Sequence, residues 1–365
     1  MQTVAAFTDT YLPTVNGVTY TVRTWRDRWA ERGGRMPVVY PDDDGYEAGP
    51  EEYPVNSLPF PFYSGFRFGL PTVPDAVTDD SIDVVHAHTP FTLGLAGKRL
   101  ATRRDLPFVV SYHTPAREYA TYLSDIFADA IRSVADRYER WFFGEADAIV
   151  VPSETAAERV RTAGTPTHVV SNGVDTERFA PADESATAAF RDRHDLPDGP
   201  LVGYTGRHGY EKRLDDILAA TVDADFEVVI AGDGPAREAL ERRAAPRENV
   251  TFLGFLDREE LATFYTALDV FAFPSPVETQ GLVALEAIAC GTPVVAVDSG
   301  ALSETVTDDE TGYHYQPGDI DGFRTAIEQA LDANDALSAT CLARRETLSV
   351  DRSLDDLAVV YDAVT

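Results

Sequence analysis

The chain has 365 residues, which is room for two domains with a core each. Its 44% hydrophobic and 25% charged residues are ordinary for a folded protein and exclude a disordered or collagen-like chain. The net charge of −30 comes from 61 acidic and 31 basic side chains, of which only Lys98 and Lys212 are lysines, so nucleic acid is not expected as a partner.

The large excess of acidic residues predicts that the protein is adapted to a solvent of high salt concentration. Molar salt shortens the electrostatic screening length to ~3 Å, which makes a strongly acidic surface tolerable. We therefore interpret the chain as halophilic, and we expect a lysine that is retained in so acidic a chain to have a functional role.

No long apolar stretch or leader is visible, and Cys290 and Cys341 are too few for a disulfide framework. Together these features predict a cytoplasmic protein.

The first predicted elements are a strand and a helix in AFTDTYLPTVNGVTYTVRTW, joined through Pro13 and the pair Asn16 and Gly17. A glycine allows a ligand to approach the backbone, and a helix start presents free amides. An ordinary strand-to-helix turn explains this segment equally well.

Strand-like and helix-like segments then alternate along the chain. VVHAHTP precedes LGLAGKRLATRR, FVVSYHT precedes a long helical segment, and AIVVPS precedes ETAAERVRTAG. The same alternation begins again with LVGYTG, FEVVIAGDG, NVTFLGF, DVFAFPSP and PVVAVDSG. This pattern predicts two Rossmann-like, doubly wound α/β domains.

We place the boundary near Pro181, giving domains 1–180 and 181–349, with a C-terminal helix at about 350–365 that could return to the first domain. Ligands of open α/β sheets bind beyond the carboxyl ends of the strands, so functional residues are expected there, lining a cleft between the two domains.

Three histidines lie at or near strand ends in the first domain. His86 and His88 point to the same side of one predicted strand, and His113 ends the next. Metal binding is conceivable, but no carboxylate or cysteine is interleaved with them, so no metal site is expected. His113 is the better candidate for a polar contact to a sugar.

In the second domain, LVGYTGRHGYEKRLDDIL places Arg207 and Lys212 five residues apart after a strand. A planar guanidinium and a compact ammonium are the donors expected for a diphosphate. The P-loop spacing is absent, and a solvated charged loop is the alternative. The later turn AGDGPAREAL lacks the third glycine of the dinucleotide fingerprint, so a dehydrogenase is not indicated.

The segment SPVETQGLVALEAIACGTPVVAV predicts a buried helix from about Thr279 to Cys290, closed by Gly291. Glu286 stands alone in its apolar run and needs a polar partner. Glu278 precedes the helix, and the amides of the next three residues would form its positive end, which suits a sugar phosphate. An acidic N-terminus beside the helix dipole, with Glu286 paired to an arginine, is the alternative.

Taken together, these motifs resemble the retaining glycosyltransferases of the GT-B fold, group 1 or GT4. Glu278 and Glu286 match the E-x7-E pattern, and Gly206, Arg207 and Lys212 match G-R-x4-K. SNGVDTERFAP matches the interdomain signature, and TGR, AGDGP and FLGF appear in the family's order, so the resemblance covers essentially the whole chain.

The resemblance implies a role for each matching position. Arg207 and Lys212 would hold the donor diphosphate, Glu286 the ribose and Glu278 the transferred sugar, while His113 would contact that sugar near the reaction centre. The remaining donor-binding positions implied by the family are Asn16, Gly17, Gly232, Gly254, Phe255, Thr279, Gln280 and Gly281. The family commonly has glycine at position 16 and phenylalanine at position 280, which puts acceptor or sugar choice in doubt.

TDTYLPTVNGV, HTPFTLGLAG and SYHTPAREYATYL are most similar to the branch containing diacylglycerol glucosyltransferases, sulfolipid synthases and lipid mannosyltransferases. This implies a UDP- or GDP-hexose donor, a lipid or glycan acceptor and no metal cofactor. The aromatic segment 58–71 and the amphipathic segment 119–143 are candidates for peripheral contact with the inner face of the membrane, with packing on their own domain as the alternative. An epimerase of the same fold and a catalytically silent sugar-nucleotide-binding protein are the rival functions.

Overall fold

The structure is a computed structural model that describes residues 1–59, 67–78, 81–113, 128–160 and 164–365. The chain divides into two compact units, Met1–Asn172 with Ser353–Thr365, and Gly173–Arg352. The sequence places the boundary near Pro181, whereas residues 173–180 belong to the second unit. Val174 forms a bridge with Ser349, and Phe179 packs into the second core.

The first unit is built on a seven-stranded parallel sheet in the order β3-β2-β1-β6-β7-β8-β9. Most of its strands are short, apolar and buried along their whole length, as expected for a parallel sheet covered on both faces. Its strands are β1 Val4–Phe7, β2 Val38–Pro41, β3 Glu52–Val55, β6 Val84–Ala87, β7 Phe108–Ser111, β8 Ala148–Val151 and β9 Thr167–Val169, and an antiparallel pair is formed by β4 Ser57–Pro59 and β5 Arg67–Gly69.

Helices connect these strands. They are α1 Gly17–Glu31, α2 Asp75–Thr78, α3 Thr92–Arg104, α4 Ala128–Gly144 and α5 Glu154–Val160. The first unit also contains the end of α14, Val350–Val364, where the Tyr361 ring packs edge-on to Trp29 with ring centroids 5.4 Å apart. Arg32 donates to Asp355 over 2.8 Å at the same helix.

The second unit has a six-stranded parallel sheet in the order β12-β11-β10-β13-β14-β15. Two doubly wound parallel sheets confirm the predicted fold class. The strands are β10 Leu201–Thr205, β11 Glu227–Ala231, β12 Val250–Gly254, β13 Val270–Phe273, β14 Val294–Val297 and β15 Gly312–Tyr315. The helices are α6 Glu184–Arg193, α7 Leu214–Ala220, α8 Arg237–Ala244, α9 Arg258–Ala267, α10 Leu282–Ala289, α11 Leu302–Thr305, α12 Ile320–Asp332 and α13 Asn334–Ala343, with short 3-10 helices at Tyr210–Lys212 and Arg345–Leu348.

The two segments proposed for membrane contact are described in part. Residues 60–66 and 119–127 lie outside the described residues. The remainder of the first segment includes β4 and β5, and the remainder of the second lies in α4. Among the described residues, no helix has both the length and the apolar character needed to cross a bilayer.

Candidate active site

The candidate site in the second unit lies at the carboxyl ends of neighbouring parallel strands. The chain runs outward from β10 to β11 and β12 and then returns to β13 on the other side of β10. Such a reversal of strand order creates the crevice where ligands of open α/β sheets bind. Arg207, Gly232 and Glu278 follow β10, β11 and β13, and Gly254 is the last residue of β12.

Glycines let three of these loops approach one another closely. The Gly232 N–H donates to the Gly254 carbonyl over 2.6 Å, and the Gly206 N–H donates to the Ala231 carbonyl over 3.3 Å. A methyl group on Gly232 would lie 2.0 Å from the Gly206 carbonyl oxygen, and its φ of +111° is itself unfavourable for other residues. Phe255, which follows Gly254, leaves 60% of its surface exposed. The backbone of these glycines therefore lies beside the exposed ring of Phe255.

The two predicted cations lie in one electrostatic cluster. The Lys212 ammonium donates to Glu278 Oε1 over 2.6 Å, and the Arg207 guanidinium donates to Glu211. Burial lowers the pKa of Lys212, but the charges of Glu278 and Glu211 outweigh burial, so its pKa is raised above the ordinary value. The charge of Arg207 acts in the opposite direction on the pKa of Lys212.

Tyr204 forms the floor of this cluster. Its ring is 1% exposed in β10, and its hydroxyl donates to the Arg207 carbonyl over 3.4 Å. Burial and the charges of Glu278 and Glu211 raise the pKa of this phenol, while Arg207 lowers it. Sequence reasoning missed Tyr204 because a tyrosine in an apolar strand looks like any core residue.

The predicted helix after Glu278 begins later than expected. The sequence predicts a start at Thr279, whereas α10 starts at Leu282. The reason is Gly281, whose φ of +83° is left-handed and prevents the helix from extending backward. The amides of Thr279, Gln280 and Gly281 therefore belong to a loop, which Thr305 fixes by donating to the Gln280 carbonyl over 2.7 Å.

Glu286 has a partner that the sequence did not reveal. It lies buried in α10 and accepts a hydrogen bond from the Tyr265 hydroxyl over 2.9 Å. Burial raises the pKa of Glu286 to about 7, against the lowering effects of the Arg258 charge and the Tyr265 bond. The closing glycine of this helix, Gly291, has φ +85° as predicted.

In the first unit the three histidines form one cluster, in which His86 and His88 are buried and His113 is partly exposed. His88 Nδ1 lies 3.1 Å from His113 Nε2, and the two rings are stacked with centroids 5.4 Å apart. His86 lies 2.7 Å from the Tyr361 hydroxyl and 2.8 Å from the Ser111 hydroxyl. Burial lowers the pKa of His86 to about 3 and that of His113 to about 4, so these rings are neutral near pH 7.

The turn before α1 has the predicted form. Asn16 is the N-cap of the helix, accepting from the Thr19 N–H over 2.9 Å and donating to Thr10 over 2.7 Å. Gly17 is the first residue of the helix. The Asn16 amide thus has a structural task in addition to its predicted role.

The predicted residues therefore divide between the units: Asn16, Gly17 and His113 lie in the first and the others in the second. Within the described residues, no three His, Cys, Asp or Glu side chains are grouped so that they could hold a metal ion.

Like Tyr204, Glu211 was not among the residues predicted from the sequence, although its position four residues after Arg207 is a visible signal for an ion pair.

Comparisons with known proteins place this geometry in a family. Residues 187–342 match the profile described as glycosyl transferases group 1, and residues 15–178 match glycosyltransferase family 4. A GDP-mannose-dependent alpha-mannosyltransferase from Mycobacterium tuberculosis is 32% identical over 87% of this chain and 85% of its own length. The chain belongs to the group 1 glycosyltransferases. The resemblance to the group 1 and family 4 glycosyltransferases that was inferred from the motifs is confirmed.

Two other relatives of this group 1 glycosyltransferase are named for a glycolipid product and for the sugar that is transferred. The alpha-monoglucosyldiacylglycerol synthase of Streptococcus pneumoniae is 28% identical over 94% of this chain and 81% of its own length. The sulfoquinovosyl transferase of Arabidopsis thaliana is 31% identical over 82% of this chain, which spans 62% of that protein.

Solved structures share the fold. The sucrose-phosphate synthase of Thermosynechococcus elongatus has a TM-score of 0.80 at 22% identity, covering 100% of this chain and 99% of that one. Anabaena HepE, solved in complex with UDP-glucose, has a TM-score of 0.74 at 19% identity, covering 99% of both chains. These similarities support the GT-B fold for this glycosyltransferase.

Proposed function

We propose that this glycosyltransferase moves a hexose from a UDP- or GDP-sugar to a hydroxyl group of a lipid or glycan acceptor, with retention of configuration. The observation that carries the proposal is the 2.6 Å contact between Lys212 and Glu278, which are 66 residues apart. This contact joins the proposed diphosphate-binding and sugar-binding motifs beyond the carboxyl ends of the neighbouring strands β10 and β13. If the segment around Arg207 and Lys212 were only a solvated charged loop, a contact with Glu278 would not be expected.

The proposed mechanism depends on stabilising the negative charge that develops on the leaving group. Breaking the anomeric bond leaves negative charge on the β-phosphate of the donor. Arg207 and Lys212 would stabilise that charge, and because both are held in place before the reaction, little reorganisation is required. The proposal needs no metal ion for this step.

The other donor contacts use the remaining features of the second unit. Glu286 would accept hydrogen bonds from the ribose hydroxyls, and Glu278 would bind hydroxyls of the transferred sugar. The glycine backbone at Gly232 and Gly254, together with exposed Phe255, would offer a flat surface to the base.

Retention requires the acceptor to attack from the face that the leaving group vacates. We assign the acceptor's proton to the departing phosphate oxygen, so no carboxylate pair has to flank the scissile bond as in retaining hydrolases. His113, held neutral by burial, would contact the sugar as a hydrogen-bonding group.

A lipid acceptor is supported by the name of one relative, the alpha-monoglucosyldiacylglycerol synthase, and by one helix of the first unit. Val134 and Trp141, spaced two helical turns apart on α4, leave 70% and 46% of their surfaces exposed. Exposed apolar side chains on one helix face suit the interfacial region of a bilayer. We therefore propose peripheral contact with the inner membrane face, testable by co-sedimentation with vesicles.

The test is a transfer assay with a panel of UDP- and GDP-hexoses and diacylglycerol or glycan acceptors, with products identified by mass spectrometry. Lys212→Ala and Glu278→Ala should abolish turnover. Glu238→Ala, at an exposed ion pair on α8, is the control and should keep it. Full turnover in Lys212→Ala or Glu278→Ala would refute the site. Sugar interconversion without acceptor would indicate an epimerase, and donor binding without turnover a silent binding protein.

A further inference from the structure

Each cation of the diphosphate site faces a carboxylate of its own chain. Glu278 accepts from Lys212, and Glu211 accepts from the Arg207 guanidinium in a pair whose side chains are 27% and 37% exposed respectively. Glu211 lies in the 3-10 helix Tyr210–Lys212, directly before Lys212, and its charge also acts on that lysine. The cluster that should attract a diphosphate therefore contains two negative charges of its own.

Gly209 makes room for one of them. A methyl group at this position would lie 2.2 Å from Glu211 Oε1 and 2.5 Å from its carboxyl carbon. The backbone does not require glycine here, because φ −85° and ψ 150° are open to any residue. The missing side chain is thus what allows the Glu211 carboxylate to lie in its place beside Arg207.

Carboxylate and phosphate compete for the same donors. Both are recognised through the planar N–H groups of a guanidinium, often by two bonds at once. A diphosphate that binds Arg207 must either displace Glu211 or bind beside its negative charge. The affinity for the diphosphate is lowered in both cases, by the lost ion pair in the first and by charge repulsion in the second.

From this geometry we propose that Glu211 is an internal competitor of the donor diphosphate. It holds Arg207 in the free enzyme, weakens binding of the nucleoside diphosphate, and so favours release of that product after transfer. The proposal rests on the proposed function, since it assumes that Arg207 and Lys212 bind a diphosphate. Glu278 is a less informative probe, because its own proposed contact with the sugar would be lost with it.

The experiment measures the Kd of UDP and of GDP for the full chain by titration calorimetry. Glu211→Gln should tighten binding of the preferred nucleotide by about 3- to 10-fold at 0.1 M salt, a size typical of one partly exposed charge pair plus the like-charge repulsion. The gain should shrink at molar salt, where the screening length is only ~3 Å. Product inhibition by the same nucleotide should strengthen in parallel.

Two further variants separate this effect from general ones. Gly209→Ala keeps the charge of Glu211 but moves its carboxylate, so it should also tighten binding. Glu238→Gln removes one negative charge from the exposed pair with Arg242 and should leave Kd unchanged. Damage to the fold would weaken binding, so a gain in affinity cannot arise from it.

Three results decide the matter. If Glu211→Gln or Gly209→Ala binds the nucleotide no more tightly than the wild type, the proposal is wrong. If Glu238→Gln shows the same gain, net charge rather than the Arg207 pair is responsible, and the proposal is also wrong. If the wild type binds neither UDP nor GDP, the proposed function fails first, which is a distinct result.

Discussion

Replacing Glu286 by glutamine should stabilise the second unit at alkaline pH while weakening donor binding. Burial raises the pKa of Glu286 from 4.5 to about 7, so the folded state resists losing this proton. Below pH 4.5 the group is protonated in both states. As pH rises to 7 and beyond, the unfolded chain ionises more readily, and stability is lost.

The size of the loss follows from the two values. One pKa unit corresponds to 1.36 kcal/mol, so the change from 4.5 to about 7 amounts to about 3 kcal/mol at pH 8. Glutamine has nearly the shape of the protonated acid and can still accept from Tyr265, but it cannot ionise. The variant should therefore match the wild type near pH 4.5 and exceed its stability by up to about 3 kcal/mol at pH 8.

The chain provides separate probes for its two units. Both cysteines, Cys290 and Cys341, are buried in the second unit, and all three tryptophans lie in the first. Urea titration followed by a short pulse of a thiol reagent thus reports on the second unit, and tryptophan fluorescence reports on the first. Equal stability of variant and wild type at pH 8, or a gain of the same size at pH 5, would refute the reasoning.

Three other outcomes are expected. Tyr361→Phe removes the hydroxyl partner of buried His86, which should cost about 1–3 kcal/mol of first-unit stability and increase hydrogen exchange in α14. Because the folded pKa values of His86 and His113 are lowered to about 3 and about 4, the unfolded chain takes up protons first on acidification. Burial also lowers the pKa of His88, so first-unit stability, followed by tryptophan fluorescence, should fall as pH drops below 6.5. Finally, the net charge of −30 predicts that raising KCl from 0.1 M to 2 M increases the thermal midpoint.

Each of these has a contradicting result. First-unit stability and hydrogen exchange in α14 that are the same in Tyr361→Phe and the wild type would show that the hydroxyl contributes nothing to the His86 contact. First-unit stability that stays constant between pH 7 and 4.5 would mean that the histidines can protonate in place. A thermal midpoint that falls with KCl would exclude the proposed salt adaptation.

Much of the fold was predictable because parallel strands buried on both faces have a simple sequence signature. The runs at Ala148–Val151 and Val294–Val297 are continuous apolar segments, and both are strands of parallel sheets. Gly291 was predictable as a helix end for the same kind of local reason. The start of α10 was not, because no local pattern marks Gly281 as left-handed, and the residues that leave no room for a side chain there, Phe273 and Leu302, lie in other elements, β13 and α11.

The candidate site was predictable only where its residues form spaced motifs. Arg207 and Lys212, like Glu278 and Glu286, are visible in single segments of the chain. Their partners depend on tertiary structure: Tyr265 is 21 residues from Glu286, and the paired Lys212 and Glu278 are 66 residues apart. No local pattern specifies such contacts.

The end of α14 has a consequence for synthesis on the ribosome. The first unit comprises Met1–Asn172 but also needs Ser353–Thr365, and His86 meets Tyr361 across 275 positions of chain. During translation, which delivers about 5–20 residues per second, this unit stays without its closing helix until all of the second has emerged. The half of the protein that is made first is thus completed last, and in the interval its exposed apolar surface, including that around Trp29, is a natural target for chaperones.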